Sequence, residues 1–277
     1  MEPVALEAGL AFLFGLLIGS FLNVCIYRWP RDLSVVRPRS HCPACEKTIA
    51  WYDNVPLLSY ALLRGRCRHC GARISPRYPL VELLTGALFF YLVWTTGLTP
   101  ATAKWCIFAA MLVALVFTDL EERILPDEFT LGGTLAGLVL AVFVPLPDMA
   151  AQGLLWLLGG DLHGRWLGLF NAAVGAGLPA LVLWGGGWVY HLVRHKEGLG
   201  FGDVKLVAMI GSFLGLEGAL LALVLGSIAG SVLGLAYIKA AGKDIATYEL
   251  PFGSFLSASA LVLAVFGRRL LFWYTGL

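Results

Sequence analysis

Four cysteines and two aspartates are the residues in this chain whose types and spacing could do chemistry. Cys42-x2-Cys45 and Cys67-x2-Cys70 are separated by 21 residues. At that spacing four thiolates can surround one tetrahedral Zn²⁺. Four protein ligands leave no open coordination position, so the metal would be structural. Two disulfides or a redox dithiol are the other readings of paired CxxC motifs. Asp203 lies in "GLGFGDVKL" (198–206), between a glycine-rich turn and an apolar run, and Asp119 lies in "VFTDLEERILPDE", just after another such run. Two carboxylates sharing a site cannot easily both ionise. One keeps its proton and acts as acid, while the other acts as base and activates water. Taken separately they have plainer roles: Asp203 as the N-cap of the following helix, and Asp119 as a solvated loop residue beside Glu121 and Glu122.

The elements that must position these residues are read from hydrophobicity. Of 277 residues, 58% are hydrophobic and only 14% charged, against roughly 25% charged in a soluble domain. Apolar runs fall at about 6–27, 79–97, 102–118, 129–146, 167–190, 204–216, 218–239 and 251–274. A full helical span needs roughly 20 residues. The pattern predicts an all-α polytopic membrane protein of about eight transmembrane helices, the run at 204–216 being short. The chain starts "MEPVALEAGL", so no basic segment precedes the first run, and "CIYRWPR" stands where a cleavage site would need small residues. It reads as a retained helix and not as a signal peptide. The organisation expected is a first transmembrane helix (1–27), a polar zinc-binding loop (28–78) and a helical core (79–277) carrying the aspartates.

Charge gives the orientation. With the N-terminus outside, segments 28–78, 119–128, 191–205 and 239–250 hold 16 of the 20 Lys and Arg residues, ten of them in 28–78. That is a strong positive-inside bias. Lys104, Arg165 and the pair Arg268–Arg269 remain outside. The cysteine loop then faces a reducing cytosol, which keeps thiols available for metal. His41 and His69 adjoin ligands, but four thiolates already suffice. Asp119 and Asp203 both fall at the cytosolic membrane face. Net charge is only +2, and no nucleic-acid partner is expected.

Smaller features bear on the aspartates. Gly200 and Gly202 would let the backbone turn sharply and approach a substrate chain. Asp203 at a helix start sits in a positive field that favours its charge, which leaves Asp119 as the proton carrier of a pair. "GLGFG" echoes a nucleotide-binding loop, but no strand precedes it and its last glycine is misplaced. Gly226, Gly230 and Gly234, spaced by four, read as a helix-packing stripe. Cys25 and Cys106 lie in apolar runs and read as small buried hydrophobes.

Taken in order, five motifs resemble the type IV prepilin leader peptidases, membrane aspartic proteases of the GxGD type. "GSFLNVCIYRWP" (19–30) is similar to the family's first-helix signature. "CPAC…DNVPLLSYALLRGRCRHC…ISPRYPLVELLTG" (42–86) is similar to its zinc loop and second-helix entry. "DLEERILPD" (119–127) and "GFGDVKL" (200–206) resemble its two catalytic motifs, and "LPFGSFLSASA" (250–260) a late motif, with Ser254 where proline is common. The resemblance covers most of the chain and is weakest over 140–190. It implies that Asp119 and Asp203 are catalytic, and that the substrates are prepilins or pseudopilins cleaved after a glycine at the cytosolic face of a bacterial inner membrane. It further implies methylation of the new N-terminal residue with S-adenosylmethionine, because the zinc loop goes with the methylating members. Glu121, Glu122, Asp127 and Glu128 could then attract a basic leader, and Lys205 could hold a carboxylate or snorkel. Asn23 is a candidate for the methylation site or an interhelical hydrogen bond, and Glu82 is a similar candidate. The alternatives are a peptidase without methylation, and a non-enzymatic transporter or scaffold with structural zinc. A transporter would place ionisable groups near the midplane, whereas here they gather at one face. The particular pilin, pilus assembly versus type II secretion, and the oligomeric state are not written in these residues.

Overall fold

A computed structural model describes residues 2–195, 200–244 and 250–275, with side chains described over 4–195, 200–244 and 250–267. Among these residues the chain forms nine α-helices and no strand beyond isolated bridges. They are α1 (Glu2–Arg28), α2 (Leu58–Leu62), α3 (Arg77–Thr96), α4 (Pro100–Glu122), α5 (Asp127–Phe143), α6 (Met149–Leu157), α7 (Gly164–Arg194), α8 (Phe201–Ala240) and α9 (Phe252–Thr275). In lipid every backbone polar group must find its partner within the protein, and a helix does this within one segment. Five helices, α1, α3, α4, α7 and α8, are long and apolar enough to cross a membrane, while α5 and the apolar stretch Phe252–Gly267 of α9 are shorter. The chain is therefore an all-α polytopic membrane protein. The eight apolar runs correspond to seven of these helices, because 204–216 and 218–239 are two arms of α8.

The chain divides into two compact units, Met1–Ala114 and Leu115–Leu277, the boundary falling within α4. In the first unit α1 and α3 pack antiparallel. A Cβ added to Gly15 would lie 2.8 Å from Gly86 Cα, and one added to Gly19 would lie 2.7 Å from Glu82 Cα. One turn further on, Asn23 Nδ2 donates to Tyr78 O at 3.0 Å. The polar loop between these helices contains the cysteines. The turn into α4 is written in its residues: Gly97 ends α3 at φ +69°, Thr99 Oγ1 accepts from Thr102 N at 3.1 Å, and Pro100 opens the helix without a donor to lose.

In the second unit α8 is broken at Gly215, whose φ of +76° suits glycine. Were α8 straight, Asp203 and Gly234 would stand about 46 Å apart. Instead Gly234 packs on Leu250, Ser254 bonds to Asp119, and the charge of Asp119 acts on Asp203. Both ends of α8 thus lie at one face, and the helix folds back on itself at Gly215. The return arm packs against α9 through Gly226 and Gly230 as well, which touch Leu256 and Phe255, as the stripe of small residues predicts. The first arm (201–214) meets α7 backbone to backbone. A Cβ on Gly175 would lie 2.6 Å from Gly211 O.

The break is held by crossed caps. Asp148, 2% exposed, accepts from Ala151 N at the start of α6 and from Leu216 N and Glu217 N at the start of the return arm. Glu217 Oε1 in turn accepts from Ala150 N at 2.8 Å. Two helix N-termini meet, and each carboxylate neutralises orphan N–H groups of the other's helix.

Candidate active site and metal centre

Asp119 occupies the last turn of α4 and is buried, 5% exposed. Its Oδ2 accepts two hydrogen bonds from Ser254, at the start of α9: the backbone N–H at 2.5 Å and Oγ at 2.8 Å. Ser254 faces Asp119 because its N–H is among the first of α9, where no carbonyl one turn back is available inside the helix. Ser254 Oγ also reaches Val116 O at 3.1 Å, which ties α9 to α4. Arg123 adds positive charge near Asp119. Asp203, half-buried in the first turn of α8, lies within reach of the Asp119 charge. The structure therefore brings together the two aspartates that the sequence singles out.

The surroundings differ from expectation in places. Gly200 is extended (φ −67°, ψ 134°) and Gly202 is helical, so neither needs a glycine for its backbone angles. Among the described residues, a Cβ added to Gly200 would meet only Asp203 Oδ2, at 3.5 Å. Gly198 and Leu199 lie outside the described residues. Lys205 Nζ donates to Asp127 Oδ1, so it holds a carboxylate and does not simply snorkel. Glu121 is exposed and Glu122 half-buried. Two residues carry weight that spacing did not reveal. One is Ser254. The other is Gly253, where a Cβ would press on Asp119 Cγ at 3.2 Å and on Leu125 Cδ1 at 3.0 Å. Only the late motif itself pointed to them.

The cysteine cluster is built as two copies of one turn, 25 residues apart. Cys42 N donates to Lys47 O, and Cys67 N to Ala72 O. The residue after each second cysteine has positive φ, Glu46 at 56° and Gly71 at 71°. An isolated bridge flanks each turn, His41 with Thr48 and Arg66 with Arg73. All four Sγ atoms lie within 4.8 Å of one another, and Cys42 and Cys70 are 3.8 Å apart. A tetrahedron with Zn–S bonds of ~2.3 Å has edges of ~3.8 Å. N–H groups of Cys70 and His69 push the Cys67 thiol down to about 6. At Cys70 the N–H of Ala72 acts the same way, but burial and the neighbouring thiols outweigh it and drive the thiol up to about 11. The four sulfurs cannot all ionise together without a cation, and a divalent metal removes that conflict. These residues fit zinc.

Asn23 and Glu82 are engaged inside the first unit. Asn23 makes the interhelical bond to α3 noted above, and its Oδ1 is buried with no partner among the described residues. Glu82 Oε2 accepts from Leu57 N at 2.8 Å. The pair ties α1, α3 and the loop together. Among the described residues Asn23 Oδ1 is a buried acceptor left for a bound amine or cofactor, which by itself is less than a cradle for S-adenosylmethionine.

Fold and site define a multi-pass helical membrane protein with a carboxylate pair at one helix-end face and a four-cysteine metal centre. Residues 13–96 match the bacterial peptidase A24 N-terminal domain, and residues 106–235 match the type IV leader peptidase family. A protein from Myxococcus xanthus named prepilin leader peptidase/N-methyltransferase is 44% identical over 236 residues, covering 84% of this chain; the chain spans 63% of that relative's length. Proteins of the same name from Aeromonas hydrophila (36% identical; 96% of this chain, 92% of the relative) and Stutzerimonas stutzeri (32%; 94% and 91%) align over nearly their whole length. No solved structure matches the chain significantly. The chain belongs to the type IV leader peptidase family.

Proposed function

We propose that this chain removes the basic leader of prepilins or pseudopilins by hydrolysis and then methylates the new N-terminal amine. Its curated relatives are named for both activities. The observation that carries the cleavage reading is the meeting of Asp119 and Asp203 beside Ser254. Water held between the carboxyls attacks the scissile carbonyl carbon. The ionised aspartate takes a proton from that water, and the protonated one gives its proton to the carbonyl oxygen. Collapse of the tetrahedral intermediate breaks the C–N bond and returns a proton to the leaving amine. Hydrogen-bond donors from Ser254 at Asp119 Oδ2 favour its ionised form. This favours Asp119 as the base and Asp203 as the acid, the reverse of the assignment from the helix field alone.

The site lies where a prepilin's basic leader meets its apolar helix, at the cytosolic face of the inner membrane on the positive-inside reading. Glu121, Glu122, Asp127 and Glu128 would attract the basic leader, Asp127 also pairing with Lys205. Among the described residues, Gly200 leaves room for the substrate chain beside Asp203. Zinc, held by Cys42, Cys45, Cys67 and Cys70, would fix the two turns of the loop. S-adenosylmethionine would supply the methyl group, and Asn23 Oδ1 is an acceptor that could orient an amine near it.

The test uses wild type, Asp119→Asn and Asp203→Asn in detergent with a prepilin, with and without S-adenosylmethionine, the product N-terminus being read by mass spectrometry. Both variants fold and fail to cleave, and wild type yields a methylated product. Normal cleavage by either variant removes that aspartate from the mechanism.

A further inference from the structure

The cytosolic loop exposes large apolar side chains that neither the cysteine centre nor the aspartate pair uses. Trp51 (75% exposed), Tyr52 (53%), Leu58 (56%) and Leu62 (73%) crowd into twelve residues, 51–62. The segment is firmly built. Ser59 Oγ donates to Tyr52 O at 2.9 Å and accepts from Val55 N at 3.0 Å, joining the turn at 51–54 to α2. Leu57 is held at φ +59°, a conformation a leucine adopts only under constraint. The constraint is the bond from its N–H to Glu82.

That bond also sets a depth. α3 has 20 residues, just the length of the ~30 Å hydrocarbon core. Glu82 is the sixth of them, about 7 Å below the helix start. A segment whose backbone touches Glu82 is drawn down to the boundary between headgroups and acyl chains. The same loop (28–78) carries ten Lys and Arg against three Asp and Glu. Aromatic and aliphatic side chains at that depth, among cations, have the chemistry of an interfacial anchor on acidic lipid. Arg68 completes the pattern by stacking over Tyr52 at 5.6 Å while it pairs with Asp53.

We infer that residues 51–62 form an interfacial foot, with Trp51, Tyr52, Leu58 and Leu62 seated in the headgroup layer of an anionic bilayer, so that the cysteine loop rests on the membrane surface. A lipid surface is favoured over a second copy or the substrate helix because both ends of the loop are anchored in spanning helices. The inference needs the membrane reading of the chain and not its enzymatic activity.

The test places a photoreactive benzoylphenylalanine at position 58, 62 or, as control, Lys47, in full-length zinc-loaded protein in nanodiscs of phosphatidylglycerol or of phosphatidylcholine. Zinc content verifies folding of the loop. Positions 58 and 62 give phospholipid adducts at least about fivefold above position 47, with lower yield in phosphatidylcholine. In parallel, the emission lost in Trp51→Phe is quenched by lipids brominated near the headgroup end of the acyl chain. Adducts to a second copy or to added prepilin, or Trp51 emission quenched by aqueous iodide and not by brominated lipid, overturn the foot.

Discussion

Replacing Asp148 by asparagine isolates the interaction that folds α8 back. Asparagine keeps the shape but has one acceptor oxygen in place of two. If that oxygen stays on Leu216, the amide NH2 faces Ala151 N; if the amide flips, it faces Leu216 N. Either way a buried donor meets a donor at one helix start. The wild-type contacts are 2.8 Å to Ala151, 2.5 Å to Leu216 and 3.3 Å to Glu217. A hydrogen bond to a charged group contributes about 1.5–3 kcal/mol and an N-cap about 1 kcal/mol. Asp148→Asn therefore costs about 2–4 kcal/mol, and Asp148→Ala, which orphans all three N–H groups, about 3–5 kcal/mol.

Glu217 is exposed, so water can replace its bond to Ala150, and Glu217→Gln costs less than about 1 kcal/mol. The assay is loss of structure in detergent against a denaturant gradient, with prepilin cleavage measured well below the transition. Asp203 rides on the arm that Asp148 helps to hold, so cleavage by the folded Asp148→Asn protein falls about tenfold as the aspartate's position loosens. Unfolding that coincides with wild type, or equal costs for Asp148→Asn and Glu217→Gln, refutes the crossed-cap account.

Ser254→Ala removes the Oγ donor to Asp119 and leaves the N–H; cleavage falls about tenfold, the effect of about 1.5 kcal/mol, read from initial rates at saturating prepilin. Gly211→Leu drives a side chain into the Gly175 backbone, and the expected readout is loss of the monodisperse peak in fluorescence-detected gel filtration. Chelation, or Cys45→Ser, opens the loop to proteolysis between residues 40 and 75 and abolishes the methylated product, while cleavage stays within about twofold of wild type. Lys205→Ala breaks a pair whose Asp127 is 57% exposed, so thermal stability drops by less than about 1 kcal/mol.

Legibility followed the physics of each feature. The membrane class and the cysteine centre could be read directly, because apolar run length and CxxC spacing are local properties with a single dominant cause. The pairing of Asp119 with Asp203 was legible only through topology: positive-inside charge placed both at one face, and the structure brings Asp203 within reach of the Asp119 charge. Ser254 was visible as a serine where the resembling family often has proline, and its meaning lies in what proline lacks. Proline has no N–H, so neither of the two donors now on Asp119 would exist with proline there. The negative charge of the pair is steadied here by a residue that the spacing of acids and glycines does not mark.

The break in α8 was half legible. A run of 13 residues is too short to span, and the sequence divides near 217, but nothing local distinguishes Gly215 from the packing glycines at 211, 226, 230 and 234. What separates it is Asp148, 67 residues away, in the segment between the apolar runs at 129–146 and 167–190. A left-handed glycine and a distant carboxylate each fit many roles; together they reverse a helix. Without that reversal the return arm would leave on the opposite face, and α9 could not present Ser254 to Asp119. The geometry of the aspartate pair therefore depends on a polar contact at the far end of the first arm, about 20 Å away along the helix.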